Sequence, residues 1–251
     1  TVKFHQCRAA LSGLMAALLA EQNFIATTEF LTAEDGGLYN TYANGGLPNK
    51  VTSKLGRDWE LKRIALRMWP SATALQEVIT ALYNLVQKEN VAFEEVSKVR
   101  LYLNQTPFKM HGGFSTYKTK FEALLSAHYV SAIFLKDRRV TLDQFESEIY
   151  QNPVLSKFAA ERVEILPDGS LDAGQAIAEI DTKGGGKLRS SCDYPLGAPE
   201  NPLSTEQLKE KLRICASDCL SDRKVDELTV AIDDLENIQS IRDLMSMIRS
   251  S

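Results

Sequence analysis

Between positions 8 and 22 (RAALSGLMAALLAEQ) apolar residues occupy nearly every helical face. Such a helix belongs inside a helical assembly, not on its surface. With no earlier helix to cover it, the expectation is that a partner does so, or that the chain is the later part of a longer protein. Residues 24–31 are expected to be helical. The GG, NGG and PN signals of residues 36–56 mark loop. Residues 59–68 are partly apolar and bounded by Pro70, which predicts a strand or extended segment. Ser71 then opens a helix whose positions Leu75, Val78, Ile79, Leu82 and Val86 follow the helical period.

Residues 96–103 (VSKVRLYL) carry the Val and Leu pattern of a half-buried strand. A loop is expected around Pro107, Gly112 and Gly113, followed by one helix over 120–136. Thr141 and Gln144 have capping-box spacing for another helix, and Asn152-Pro153 starts a further one. Residues 162–166, 176–181 and 187–192 read as strands, with Gly184, Gly185 and Gly186 as a hairpin turn between the last two. The GGG run lacks the GK[ST] ending of a phosphate loop. Residues 195–202 (PLGAPENP) read as linker. Ser204 and Gln207 form a capping box ahead of the stripe Leu208, Leu212, Cys215 and Cys219, and a last helical pattern runs over 225–248. Helical, then mixed, then helical, without internal repeat, gives an α+β class.

Composition narrows the function classes. With 29 basic and 33 acidic residues the net charge is −4, so no basic face is expected to bind nucleic acid. The longest apolar run, residues 14–20, is far short of the roughly 20 residues of a membrane helix. No basic start leads into an apolar stretch and cleavage site, so a secretory leader is not expected. Cys7, Cys192, Cys215 and Cys219 lack CxxC spacing and read as reduced thiols, which points to an intracellular protein.

Candidate chemistry is sparse. His5, His111 and His128 have no Cys, Asp or Glu at ligand spacing, so no metal site is expected, and no GxSxG, HExxH or GxGxxG occurs. Two basic junctions stand out. Lys3 and His5 lie at the entrance of the first helix, where an ammonium, an imidazole and the helix dipole can meet a carboxylate. Arg67 stands before Trp69-Pro70-Ser71, where an arginine and backbone N–H groups converge at the start of the next helix, and arginine grips carboxylates bidentately.

The K-F-H segment before the first helix, the run LRMWPSATALQEVITAL, the segment Thr119-Lys120-Phe121 to Ala132, the late hairpin and the stretch from Pro195 to Leu208 resemble the MmgE/PrpD family in order and spacing. That family includes 2-methylcitrate dehydratases, cis-aconitate decarboxylases and iminodisuccinate epimerase. The resemblance implies an all-helical domain split between the chain ends and a smaller α+β lid. Residues 1–58 and 203–251 would belong to the helical domain and 59–202 to the lid. It implies an active site between the two domains, acting without metal or organic cofactor. Arg67 falls on a substrate-binding Lys or Arg of the family and His5 on a frequent His. Val2 stands where the family has Lys, with Lys3 one position on, Cys7 replaces a Gly, and Phe108 lies close to a family Tyr. Residues 71–76 replace a Cys/His-bearing pattern.

The expected function is therefore a lyase-like protein acting on small di- or tricarboxylates, with His5 and Lys3 as catalytic groups and Arg67 and Ser71 binding substrate. Proton removal next to a carboxylate develops negative charge that cations stabilise and a histidine can accept the proton. Dehydration, decarboxylation and epimerisation share that demand. The alternatives are a carboxylate epimerase, or a truncated or inactive homologue serving as a binding or assembly module. A homodimer is expected, and a further chain could supply the missing helices. The expected place is the cytoplasm or the mitochondrial matrix, away from membranes and nucleic acid.

Overall fold

The computed structural model describes residues 2–248, with side chains from residue 4 onward. The chain divides into two compact units, Thr1–Trp59 and Glu60–Ser251. In the first, helix α1 spans Val2–Glu21 and so begins ahead of the apolar run that announces it. Its large side chains are exposed, Leu14 by 61%. Residues 24–31 are not helical. The Thr27 hydroxyl takes the Glu29 N–H (3.2 Å), a local bond that competes with the helical ladder. The carbonyls of Phe30 and Leu31 accept from Leu38 and Tyr39 instead. Two short helices, α2 (Leu38–Ala43) and α3 (Pro48–Thr52), interrupt the stretch expected as loop. Asn44, in the left-handed region (φ 48°), ends one, and Pro48 in the first turn starts the other.

The second unit is built on a mixed four-stranded sheet ordered β2-β1-β3-β4, from β1 (Val96–Leu103), β2 (Val163–Pro167), β3 (Ala176–Thr182) and β4 (Lys187–Cys192). β1 runs parallel to β2 and antiparallel to β3, which forms the hairpin with β4. Val99, Leu101 and Leu103 alternate into the core opposite Ile180, Ala178 and Ala176. Val96 is also buried, because the register shifts between Val96 and Lys98 and changes the parity of the strand. Helices α4 (Gln76–Lys88), α7 (Ala127–Asp137) and α9 (Pro153–Arg162) pack on this apolar side. The other side carries a cross-strand ladder. Lys98 pairs with Glu164 (2.7 Å), Arg100 with Asp181 (2.8 Å) and Arg189 with Glu179 (3.2 Å).

Several expected elements change for identifiable reasons. The helix expected over 120–136 breaks at Ser126 into α6 (Lys120–Leu125) and α7. Ser126 is extended, and its hydroxyl donates to the Phe114 carbonyl (3.0 Å) and accepts the Tyr129 N–H (3.2 Å). The loop around Pro107 contains α5 (Gln105–His111), capped by the Asn104 side chain, with Pro107 in the tolerant first turn. The box at Thr141 forms by halves. The Gln144 side chain accepts the Thr141 N–H (2.8 Å), whereas the buried Thr141 hydroxyl has no partner among the described residues. Only a 3-10 turn (Asp143–Phe145) and the single turn α8 (Ser147–Tyr150) follow.

Residues 59–68 form no strand. A 3-10 turn at Glu60–Arg63 leads into irregular chain. The PLGAPENP stretch is no linker. Leu196 and Ala198 are buried, Gly197 N–H donates to the Asn201 carbonyl and Leu196 N–H to the Thr80 hydroxyl. The capping box at Ser204 and Gln207 is present at the head of α10 (Thr205–Ala216), but Cys219 lies beyond its end. The last helical pattern splits into α11 (Asp222–Asp233) and α12 (Ile241–Met247) around a small core of Leu220, Val225 and Leu228. Residues 203–251 fall in the second unit. Among the described residues no helix is long and apolar enough to cross a membrane.

Candidate functional site

The Trp69–Ser71 turn is held from inside by Gln76. Its side-chain carbonyl accepts the Trp69 N–H (3.2 Å), and its amide donates to the Trp69 carbonyl (3.1 Å) and the Ser71 hydroxyl (3.0 Å). Burial makes each of these bonds costly to lose. From outside, the Leu66 N–H donates to the Gly197 carbonyl (2.8 Å). Gly197 has φ 96°, and a Cβ there would sit 1.8 Å from the Leu66 carbonyl oxygen. Only glycine permits that approach. The two clamps fix the residue between them, Arg67.

Arg67 is exposed, and one of its five N–H donors reaches the Ser71 carbonyl (3.3 Å). The Lys211 ammonium, on α10, donates to the Arg67 carbonyl at 2.5 Å. Both line a cavity of about 800 Å³ within the second unit. Arg138 and Arg139 line it too, at the end of α7. Arg138 ends that helix in the left-handed region (φ 57°) and donates to the Val91 carbonyl. Partial burial holds its guanidinium below the usual range. None of these four cations is paired with a carboxylate among the described residues, and the acid of the lining, Glu210, faces Arg213 at 4.0 Å. On a chain of net charge −4 this is a local positive excess that favours an anion. Apart from Ser71, Thr141 and Gln207 the remaining wall is mostly apolar, with Trp69 edge-on to Phe134 and tilted against Tyr83.

Two of the sequence-chosen residues meet in this cavity. Ser71 lines it with Arg67, though its side chain is buried and its hydroxyl already accepts from Gln76. The Ser71 N–H turns back on the Trp69 carbonyl (2.8 Å), so it is spent where an open donor was expected. His5 is exposed on α1, edge-on to Phe4, and the Lys3 side chain lies outside the described residues. Both positions fall within the helix instead of ahead of it. Among the described residues no histidine lines the cavity. His111 and His128 are buried, and desolvation holds both imidazoles below the usual histidine range. His111 Nδ1 meets the Leu125 carbonyl (2.9 Å), an acceptor only, so that nitrogen carries the proton. No three His, Cys, Asp or Glu among the described residues converge as metal ligands.

Arg138, Arg139 and Lys211 were not among the residues expected from the sequence. The doubled arginine after a helix end was the available signal for the first two. For Lys211 there was none, because a lysine on an amphipathic helix is ordinary surface.

The family model described as MmgE/PrpD C-terminal domain matches residues 69–237. The cis-aconitate decarboxylase-like protein oryM of Aspergillus oryzae is 22% identical over 96% of this chain and 53% of its own length. The cis-aconitate decarboxylases of Homo sapiens and Mus musculus are 26% and 25% identical over 99% of this chain, and 53% and 52% of theirs. The chain thus spans about half the length of the curated relatives it matches.

Proposed function

Because the chain belongs to the MmgE/PrpD family, we propose that the cavity at Arg67 binds a small di- or tricarboxylate for lyase-type chemistry. The observation that carries this reading is the gathering of Arg67, Arg138, Arg139 and Lys211 at one cavity, with no carboxylate partner among the described residues. Negative charge that develops beside a substrate carboxylate during dehydration or decarboxylation is stabilised by such fixed cations. Arg67 and Ser71 are the proposed substrate-binding pair. His5 is the proposed proton acceptor and Lys3 a further cation, both from α1.

The activity is tested by following cis-aconitate, citrate and 2-methylcitrate by proton NMR with the wild-type chain and with Arg67→Ala. Turnover that falls at least about a hundredfold in Arg67→Ala, the loss of a charge-assisted bidentate contact, supports the reading. Turnover indifferent to Arg67 ends it. His5→Asn separates the proton step from binding, lowering kcat with KM nearly unchanged.

A second reading, a non-catalytic binding or assembly module, is favoured by the absence of a histidine from the described cavity lining. It predicts Arg67-dependent binding of the same acids with no turnover. A carboxylate epimerase would instead exchange a substrate proton with deuterated solvent and yield the opposite stereoisomer. A homodimer and a cytoplasmic or mitochondrial-matrix place are part of the same proposal. Leu14, Met15 and Leu18, each more than half exposed on α1, supply a reason for self-association, which sedimentation tests.

A further inference from the structure

The sheet ends in an open edge. β4 pairs with β3 on one side and with no strand on the other. At the head of the hairpin the Thr182 N–H donates to the Gly186 carbonyl (2.9 Å). Antiparallel pairs alternate between exchanging main-chain bonds and not exchanging them. Along the register from that bond, Leu188, Ser190 and Cys192 bond to β3, whereas Lys187, Arg189 and Ser191 turn their N–H and carbonyl groups outward. The Ser191 carbonyl accepts from the Asn84 side chain of α4 (3.1 Å). The outward main-chain groups of Lys187 and Arg189 have no partner among the described residues.

A groove of about 720 Å³ runs along this edge, lined by Asn84, Gln87 and Lys88 of α4 and by Arg189 and Ser191 of β4. A free strand edge beside a helix is the geometry that receives an extended peptide as an added strand. The charged residues of the lining are Lys88 and Arg189, and no acid lines it among the described residues. Lys187, two positions from Arg189, lies on the same face of the strand. Arg189 meets Glu179 through one nitrogen (3.2 Å), and its side chain is still 64% exposed. Two copies of β4 paired antiparallel through Lys187 and Arg189 would set these cations opposite each other, which is repulsive. Charge complementarity selects an acidic strand instead.

We propose that the groove between α4 and β4 binds an extended acidic segment of a partner protein. The segment adds to the sheet as a fifth strand beside β4, with acids at alternate positions next to Lys187 and Arg189. This docking surface is independent of the carboxylate reading of the Arg67 cavity.

A fluorescein-labelled hexapeptide of alternating glutamate and valine, with blocked ends, is titrated with the full chain and followed by fluorescence anisotropy. It is expected to bind at least about tenfold more tightly than the lysine–valine peptide of the same design, and more weakly as salt rises. N-methylation of every second amide is expected to abolish binding on the set that faces β4 and to spare it on the other set. Lys187→Glu is expected to weaken binding about fivefold. Arg189→Pro removes an outward N–H at an edge position, where proline is tolerated. It is expected to bind about fivefold more weakly than Arg189→Ala, the loss of one hydrogen bond. Melting temperatures check that the variants fold, and the N-methylated peptides decide with the unaltered chain should Arg189→Pro unfold. Failure of the acidic peptide to bind, equal effects of the two N-methylation patterns, or indifference to Lys187→Glu would overturn the strand docking. Peptide binding lost in Arg67→Ala would overturn it too, assigning the acids to the cavity with which the groove shares Tyr83. A dimer that excludes the peptide and that Arg189→Pro dissociates in sedimentation would assign the edge to a second copy and end the proposal.

Discussion

Lys211 donates its ammonium to the main-chain carbonyl of Arg67 at 2.5 Å across 144 positions of sequence. The bond ties α10 to the irregular segment that presents the guanidinium. It also leaves two ammonium protons free to meet a ligand. Lys211→Met keeps most of the stem and removes the charge. We expect it to weaken carboxylate binding roughly tenfold, the low end of a charge-assisted hydrogen bond, with little change in melting temperature. Titration with succinate measures the first and calorimetric unfolding the second.

Gly197 controls the same segment from the opposite side. Its positive φ and the 1.8 Å approach of a Cβ to the Leu66 carbonyl oxygen mean that Gly197→Ala must displace one chain or the other. We expect a loss of about 1–3 kcal/mol, the cost of a non-glycine residue in such a conformation, and more where the Leu66 bond also breaks. Urea unfolding gives the stability. Weaker carboxylate binding at a temperature where the variant is still folded would show that Arg67 has moved.

Glu77 is 4% exposed in the first turn of α4. Burial lifts its carboxyl from 4.5 to about 7, against a smaller opposing pull from its own backbone N–H. Between those two values the unfolded chain has released this proton and the native chain still holds it. Stability therefore falls as pH rises through that window and levels off above about 7. Glu77→Gln removes the ionisation. The variant is expected to gain up to about 3 kcal/mol over the parent at pH 8 and almost nothing at pH 4.5. Parallel urea titrations at the two pH values check the difference.

Cys192 is buried, and desolvation together with the charges of Glu77 and Asp193 pushes its thiol up to about 12. Cys7, Cys215 and Cys219 are exposed. A thiol reagent such as Ellman's is expected to titrate three cysteines in the native chain at pH 8 and the fourth only after unfolding. Cys215 lines the cavity, so a bound carboxylate is expected to slow its reaction and leave that of Cys7 unchanged. Mass-spectrometric mapping of the labelled peptides distinguishes them.

Regular elements with a repeating apolar pattern were legible in the sequence. The bounds of β1 follow from its alternating residues, and the hairpin of β3 and β4 from the strands flanking three glycines. The box at Ser204 is also local chemistry, since a hydroxyl and an amide three residues apart satisfy each other's donors. At Thr141 the same spacing gave half a box, and Gln144 also donates to Asp137 (2.5 Å), a contact no local pattern announces.

What the sequence determined by itself was the α+β class, the sheet strands and the family, all of which depend on residues close together along the chain. The tertiary structure decided the rest. PLGAPENP became a clamp on Leu66, Ser126 a break between two helices, and Arg138, Arg139 and Lys211 neighbours of one cavity. A hydrogen bond between positions 67 and 211, or a carbonyl resting where a Cβ would be, depends on which surfaces meet once the core has formed. Periodicity records which face of an element is apolar, and it carries no record of what that face, or the polar one, will touch.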